Sequence, residues 1–281
     1  MPLDYRVLMI IRGIIYLNKR VLEKIFYSVI SISLLLFVWQ LVAFIVTYLK
    51  NVPFPTPKET FFRLISFLMG GQLYGASIYE HLLSSLTRWG TGFGLAAALG
   101  LLLGVLLGYS QVLYEIIMPS IHVLQMIPGL AWIPITLLLF GLGDMAAVFM
   151  IFVTAFTPIV INTAGGARSI HKKYIRAAKM MGAGDAAIFL RVILPGALLS
   201  IINGLRIGLG NGWRVLVAAE MIVGVASGIG YSIIQSRWSL DFEAAFVCLI
   251  IICIIGLIVE KLVFGVIERK TIKRLGLREE G

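Results

Sequence analysis

Six apolar runs, each about as long as a bilayer core is thick, constrain this chain more than any other feature. They are Phe26 to Tyr48, Trp89 to Tyr109, Ile116 to Phe140, Ala146 to Ala164, Ala197 to Val225 and Ala245 to Ile267. A hydrocarbon core roughly 30 Å thick takes about 20 mostly apolar residues per helix. No water is present there to satisfy the backbone, so runs of this kind cross as helices. Only 14% of the 281 residues are charged, against roughly a quarter in soluble domains. The expectation is an all-α membrane protein with about six transmembrane helices, multi-pass in a cell inner membrane. The first run is too long, and too far from the N-terminus, for a signal-peptide core, and reads as a retained span. Cys248 and Cys253 fall inside the last run and read as small apolar fillers rather than disulfide or metal ligands.

The net charge of +10 has to be read by placement. Cations gather in the N-terminal tail (Arg6, Arg12, Lys19, Arg20, Lys24), in the segment Arg168 to Arg191, and in the C-terminal tail (Arg269, Lys270, Lys273, Arg274, Arg278). With six spans these segments share one side, and the positive-inside rule makes that side the cytoplasm. Both termini are therefore expected to be cytoplasmic, and the basic excess calls for no nucleic acid. The organisation expected is a cytoplasmic tail 1–25, a first span with an outer interfacial helix over 26–80, a transmembrane core over 81–267 and a cytoplasmic tail 268–281. The interfacial helix is signalled by Thr56-Pro57-Lys58-Glu59, which combines a capping threonine, a proline at the first helical position and a capping glutamate.

The segment between the fourth and fifth runs is too polar to span and too regular for a random loop. Ser169 can cap a helix in which Tyr174, Ala177, Ala178 and Met181 recur at i, i+3, i+4 and i+7, an apolar stripe narrowed by two alanines. Gly182 suits a left-handed C-cap, and Asp185 can cap a second helix from Ala186 to Ile193, before Pro195. The expected product is a helix-turn-helix knuckle, although on the pattern alone an ordinary amphipathic connection on the membrane surface fits better.

A resemblance favours the knuckle. Ala177-Ala178, three residues, Gly182, nine residues, Val192, one residue, then Leu194-Pro195 resembles the EAA signature of bacterial ABC-importer permeases. Arg176 stands where that signature has glutamate and Val192 where it has isoleucine; the first departure reverses a charge. His81-Leu82-Leu83-Ser84-Ser85-Leu86-Thr87-Arg88, Ile127 to Pro134, Phe140 to Asp144, Ile161 to Gly166 and Gly228-Ile229-Gly230-Tyr231 are similar to the nitrate/sulfonate/taurine branch, which also includes bicarbonate carriers. The resemblance implies a type I importer permease fold, a second permease subunit (a homodimer), two ABC ATPase subunits that bind ATP and Mg, and an external solute-binding protein. It implies that the coupling loop 168–195 contacts the ATPase through Tyr174, Arg176, Ala177, Ala178, Met181, Gly182, Asp185, Leu194 and Pro195. The chain contains no Gly-x-x-x-x-Gly-Lys-Ser/Thr phosphate loop, so it is expected to hold no cofactor and to be no enzyme.

Polar groups in the fifth run call for a reason, because ionisable groups inside a membrane are costly and usually face protein or water. At about 100° per residue Asn203, Arg206, Gly210 and Arg214 share a face roughly 80° wide. With Glu220 they form the candidate translocation path for a small anionic solute. A structural alternative, with Arg214 paired to Glu220, is open. Gly92, Gly100, Gly104 and Gly108 form a small-residue stripe that suits close packing within the chain. The rival function is an ion-gradient-driven secondary transporter, which ordinarily shows repeated halves and acidic relay residues. A membrane enzyme is disfavoured because His81, His122 and His171 are widely separated and no metal constellation accompanies them.

Overall fold

The computed structural model describes residues 5–259 together with Lys261 and Gly265, with side chains described for Glu23 and from Ile25 onward. The expected C-terminal tail 268–281 lies outside the described residues. Two compact units divide between Leu64 and Ile65.

In the first unit a helix, α1 (Tyr5–Lys50), runs without a break into the segment expected as a tail. It ends where Asn51 adopts φ +52°, a left-handed conformation that asparagine tolerates, and donates its N–H to the Thr47 carbonyl at 3.0 Å. The returning strand of chain is held by the Trp39 indole N–H on the Pro55 carbonyl at 2.9 Å and by the Phe54 N–H on the Thr47 hydroxyl at 3.2 Å. The next helix, α2 (Pro57–Leu68), starts as expected: the Thr56 N–H and hydroxyl both donate to Glu59 Oε2, and the Glu59 N–H donates back to the Thr56 hydroxyl. The hydroxyl, then the backbone N–H, holds the Glu59 carboxyl below its ordinary range. Its stabilisation of the cap is present above the ordinary pKa and is lost as pH falls through the lowered one.

The second unit opens with a two-stranded hairpin, β1 (Gln72–Leu73) and β2 (Ala76–Ser77), and continues through α3 (Ile78–Tyr109), α4 (Gln111–Met126), a 3₁₀ turn (Gly129–Trp132), α5 (Ile133–Phe140) and α6 (Asp144–Arg168). There follow α7 (Lys172–Met180), α8 (Asp185–Ile188), a π turn (Phe189–Ile193), α9 (Leu194–Ile222), α10 (Ile229–Ser239) and α11 (Phe242–Ile258). Within the described residues each of the six apolar runs coincides with helix, and the end of the sixth run lies outside them. Among the described residues four helices are long and apolar enough to cross a membrane, and the sixth run enters the described helix α11, Phe242–Ile258. The third run is the exception to a straight span. It bends by 101° between α4 and the Gly129–Phe140 segment, at Pro128, whose missing N–H and bulky ring interrupt the helix.

The core is α6, packed between α3 and α9. Along α3 a Cβ added at Gly92, Gly100, Gly104 or Gly108 would meet Ile151, Ile159, Thr163 or Ala167 of α6 at 2.8, 2.9, 2.5 and 2.5 Å. The offset between partners is constant, so the two helices run parallel in register. On the other side Gly204, Gly208 and Gly212 of α9 receive Asn162, Ala155 with Ile159, and Ile151 of the antiparallel α6. Where lipid is as apolar as a side chain, such close backbone approach is what holds helices together. The α3 stripe was legible as intrachain packing; the matching stripe on α9 was hidden among its polar residues.

Gly104→Ala is accordingly expected to cost about 1–3 kcal/mol by overpacking and to lower the unfolding midpoint of the detergent-purified protein. Gly94→Ala, on the open face of α3 with nothing within 4 Å of its added methyl, should stay within about 0.5 kcal/mol.

Candidate functional site

The basic loop folds as the expected knuckle, with corrections at its ends. His171, not Ser169, caps α7, its Nδ1 accepting the Lys173 N–H at 3.3 Å; the Ser169 hydroxyl instead closes α6 on the Gly166 carbonyl. Gly182 takes φ +80°, and the N–H groups of Gly182 and Ala183 return to Lys179 and Ala178. Asp185 does not cap the second helix. It is the first residue of α8 and lies 3.5 Å from Lys179 Nζ.

That second helix does not stop before Pro195. The Leu194 N–H bonds five residues back to Phe189, and helix continues from Asp185 to Ile222 as one 38-residue element. A π turn tolerates the proline because it resets the bonding ladder where the donor is missing. Leu194 and Pro195 are half-buried at this joint.

The apolar stripe is divided. Ala178 is buried, whereas Tyr174, Ala177 and Met181 are exposed, as is Arg176. Lys172, Lys173, Arg176 and Lys179 give α7 four cations, and no acid lies on that helix. Behind it a cavity of about 460 Å³ separates the knuckle from the ends of α3 and α6.

The fifth run brings together four of its five candidate path residues. Asn203, Arg206, Gly210 and Arg214 line one cavity of about 820 Å³ with Trp89 of α3 and Cys253 and Gly256 of α11. The Arg214 guanidinium donates to Asn211 Oδ1 at 3.4 Å. Glu220 does not join them, and it does not pair with Arg214. Six residues of α-helix turn it about 120° from Arg214, and it is 1% exposed.

Glu220 instead centres a buried clasp. Its carboxylate accepts Arg88 Nη1 at 2.6 Å, the Ser85 hydroxyl at 2.8 and 2.9 Å and the Gly230 N–H at 2.9 Å. Arg88 also donates through Nε to Asp144 at 2.8 Å and through Nη1 to the Ser227 carbonyl at 2.7 Å. The Gly228 N–H donates to His81 Nδ1, so the ring's proton sits on Nε2, which donates to the Leu73 carbonyl at 2.7 Å. The loop can wrap the carboxylate because Gly228 has φ +141° and an added Cβ would lie 2.5 Å from Glu220. Five segments are thus tied at one end: the hairpin, α3, the start of α6, the end of α9 and the turn into α10.

Sequence reasoning quoted His81, Ser85, Arg88 and Asp144 within matching motifs but gave none of them a role of its own. A signal existed: His81, Ser85 and Arg88 recur at i, i+4 and i+7 on the buried face of α3. Removing one partner of a buried ion pair strands the other charge, so Glu220→Ala should cost about 3–5 kcal/mol. The Arg88→Met, Glu220→Leu double variant should recover part of that loss, measured by thermal unfolding.

A family model described as the binding-protein-dependent transport system inner membrane component matches residues 96–273. The chain belongs to this family. The nitrate import permease protein NrtB of Synechocystis is 34% identical over 244 residues, covering 85% of this chain and 87% of its own length. The taurine transport system permease protein TauC of Escherichia coli is 31% identical, covering 85% and 86%. The bicarbonate transport system permease protein CmpB of Synechococcus elongatus is 36% identical, covering 66% and 67%. A chain of the MetNI methionine ABC transporter, solved in inward-facing conformations, superposes with a TM-score of 0.59 at 20% identity, covering 69% of this chain and 95% of that one. That likeness shows the fold, a type I ABC importer permease. The protein is a multi-pass, membrane-spanning permease subunit of an ABC importer, of the nitrate/sulfonate/taurine branch, and its family is one of transport subunits rather than catalysts.

Proposed function

We propose that the permease moves a small oxyanion across the inner membrane, received from an external binding protein and driven by separate ATPase subunits. The observation that carries this reading is the convergence of Arg206 and Arg214, with Asn203 and Gly210, on one cavity of about 820 Å³. Cations inside a span are costly and mark solute paths or structural pairs. The structural alternative weakens, because the acid once available to Arg214 is taken by Arg88. Relatives named for nitrate, taurine and bicarbonate each point to a solute bearing an oxyanion group. A second copy of the permease completes the path as a homodimer, and both termini lie in the cytoplasm.

Energy enters at the knuckle. The ATPase, holding ATP and Mg, docks on the exposed face of α7 through Tyr174, Arg176, Ala177 and Met181, and closure of the ATPase pair favours one permease conformation by differential contact. Hydrolysis returns the permease to its inward-open form. An ion-gradient-driven carrier would instead work without an ATPase.

In vesicles reconstituted with its ATPase and binding protein, Arg214→Ala is expected to lower oxyanion uptake at least about 10-fold, a loss of about 1.4 kcal/mol, while the assembly still co-purifies. Unchanged uptake removes Arg214 from the path. Gly182→Val, forcing a side chain into φ +80°, should leave ATP hydrolysis running while uptake falls. Arg176→Glu should weaken capture of the ATPase in a pull-down, because it reverses the charge presented to that partner.

A further inference from the structure

Where α4 breaks, a second and smaller cavity of about 50 Å³ lies between α4, α6 and α9, lined by Gln125, Trp132, Thr154, Thr157, Pro158 and Asn211 among others. Counted along α6 and α9, Thr157 and Asn211 are near mid-helix, so the cavity lies deep in the membrane. Two prolines flank it. Pro128 ends the α4 run, and Pro158 within α6 has no N–H for the Thr154 carbonyl four residues back. Irregular backbone at membrane depth is tolerated where it is buried in protein or lines a polar cavity.

The polar groups here are not all used by the fold. Asn162 donates to the Pro158 carbonyl at 2.8 Å and accepts from Asn203, and the Thr154 hydroxyl donates to Met150 at 2.8 Å. Thr157 differs. It is 3% exposed and lines the cavity, yet its hydroxyl meets no hydrogen-bond partner among the described residues. The Thr157 side chain lines the cavity, so its hydroxyl is open to bond an occupant. Asn211 lines both this cavity and the larger arginine-lined one. Arg214 engages its Oδ1, which leaves Nδ2 as a donor. Gln125 adds a second amide at the rim.

We infer that this cavity is a binding station for one small oxyanion, held by neutral donors from Thr157, Asn211 and Gln125 and reached from the arginine-lined cavity through Asn211. The donor set accepts a group rich in hydrogen-bond acceptors, and without a fixed cation it releases that group readily. The inference rests on the proposed oxyanion reading and deepens it.

Trp132 in the lining is a built-in reporter. The permease, purified with its ATPase into nanodiscs without binding protein, would be titrated with sodium nitrate, sodium bicarbonate and taurine against sodium chloride. Tryptophan emission would be compared with that of Trp132→Phe. At least one solute should give a saturable change that is absent in Trp132→Phe, and Thr157→Val and Gln125→Leu should each weaken it about 10-fold. A flat titration with all three solutes, or undiminished affinity in both variants as for a cavity that holds only water, overturns the station. Uptake by the wild-type assembly, with its binding protein, separates the two levels. If one of the solutes is taken up while the titration is flat, only the station fails; if none is taken up, the oxyanion reading falls with it.

Discussion

The architecture depends on one constraint, the close approach of α6 to helices on both sides. Glycines on α3 and α9 remove the side chains that would hold the backbones apart, and β-branched residues and alanines of α6 fill the space. In lipid this geometry stands in for the hydrophobic effect, which gives no preference for helix over hydrocarbon. It also fixes rotation. With α6 locked against two glycine stripes, α9 has to present Arg206, Gly210 and Arg214 away from α6, with Asn203 at the edge bonded to Asn162 of α6, and their cavity follows from the packing.

The clasp around Glu220 supplements this sandwich at one end. Its hydrogen bonds satisfy a charge that burial would otherwise make prohibitive, and they join segments that glycine packing alone does not reach. The clasp and the path draw on the same helix but on different faces, so a cation used in one is kept apart from the acid used in the other.

Much of this was legible in the sequence. Apolar run length gave the helices, because a bilayer imposes a single length scale, and the Thr56 to Glu59 cap and the Gly182 turn were local patterns with local causes. The clasp was not read, because Arg88 lies 56 residues from Asp144 and 132 from Glu220 and no periodicity spans such distances. Pro195 was read as a stop because proline breaks an α ladder; the π turn that admits it leaves no composition signal. Asp185 looked like a cap but bonds across the turn to Lys179, a choice between two short-range partners that spacing does not decide. Four path residues were found by helical phase, whereas Glu220, on another face, was grouped with them only because it was charged.

The fusion of α8 through the π turn to α9 has a mechanical consequence. A continuous 38-residue helix is a rod about 57 Å long at roughly 1.5 Å per residue. A pivot of 10° about its middle would displace each tip by about 5 Å, close to one helical pitch. The basic elbow is one tip, the Glu220 anchorage is near the other, and the arginines ride between them. Such a rod acts as a rocker arm, delivering displacement through the π turn to the far surface.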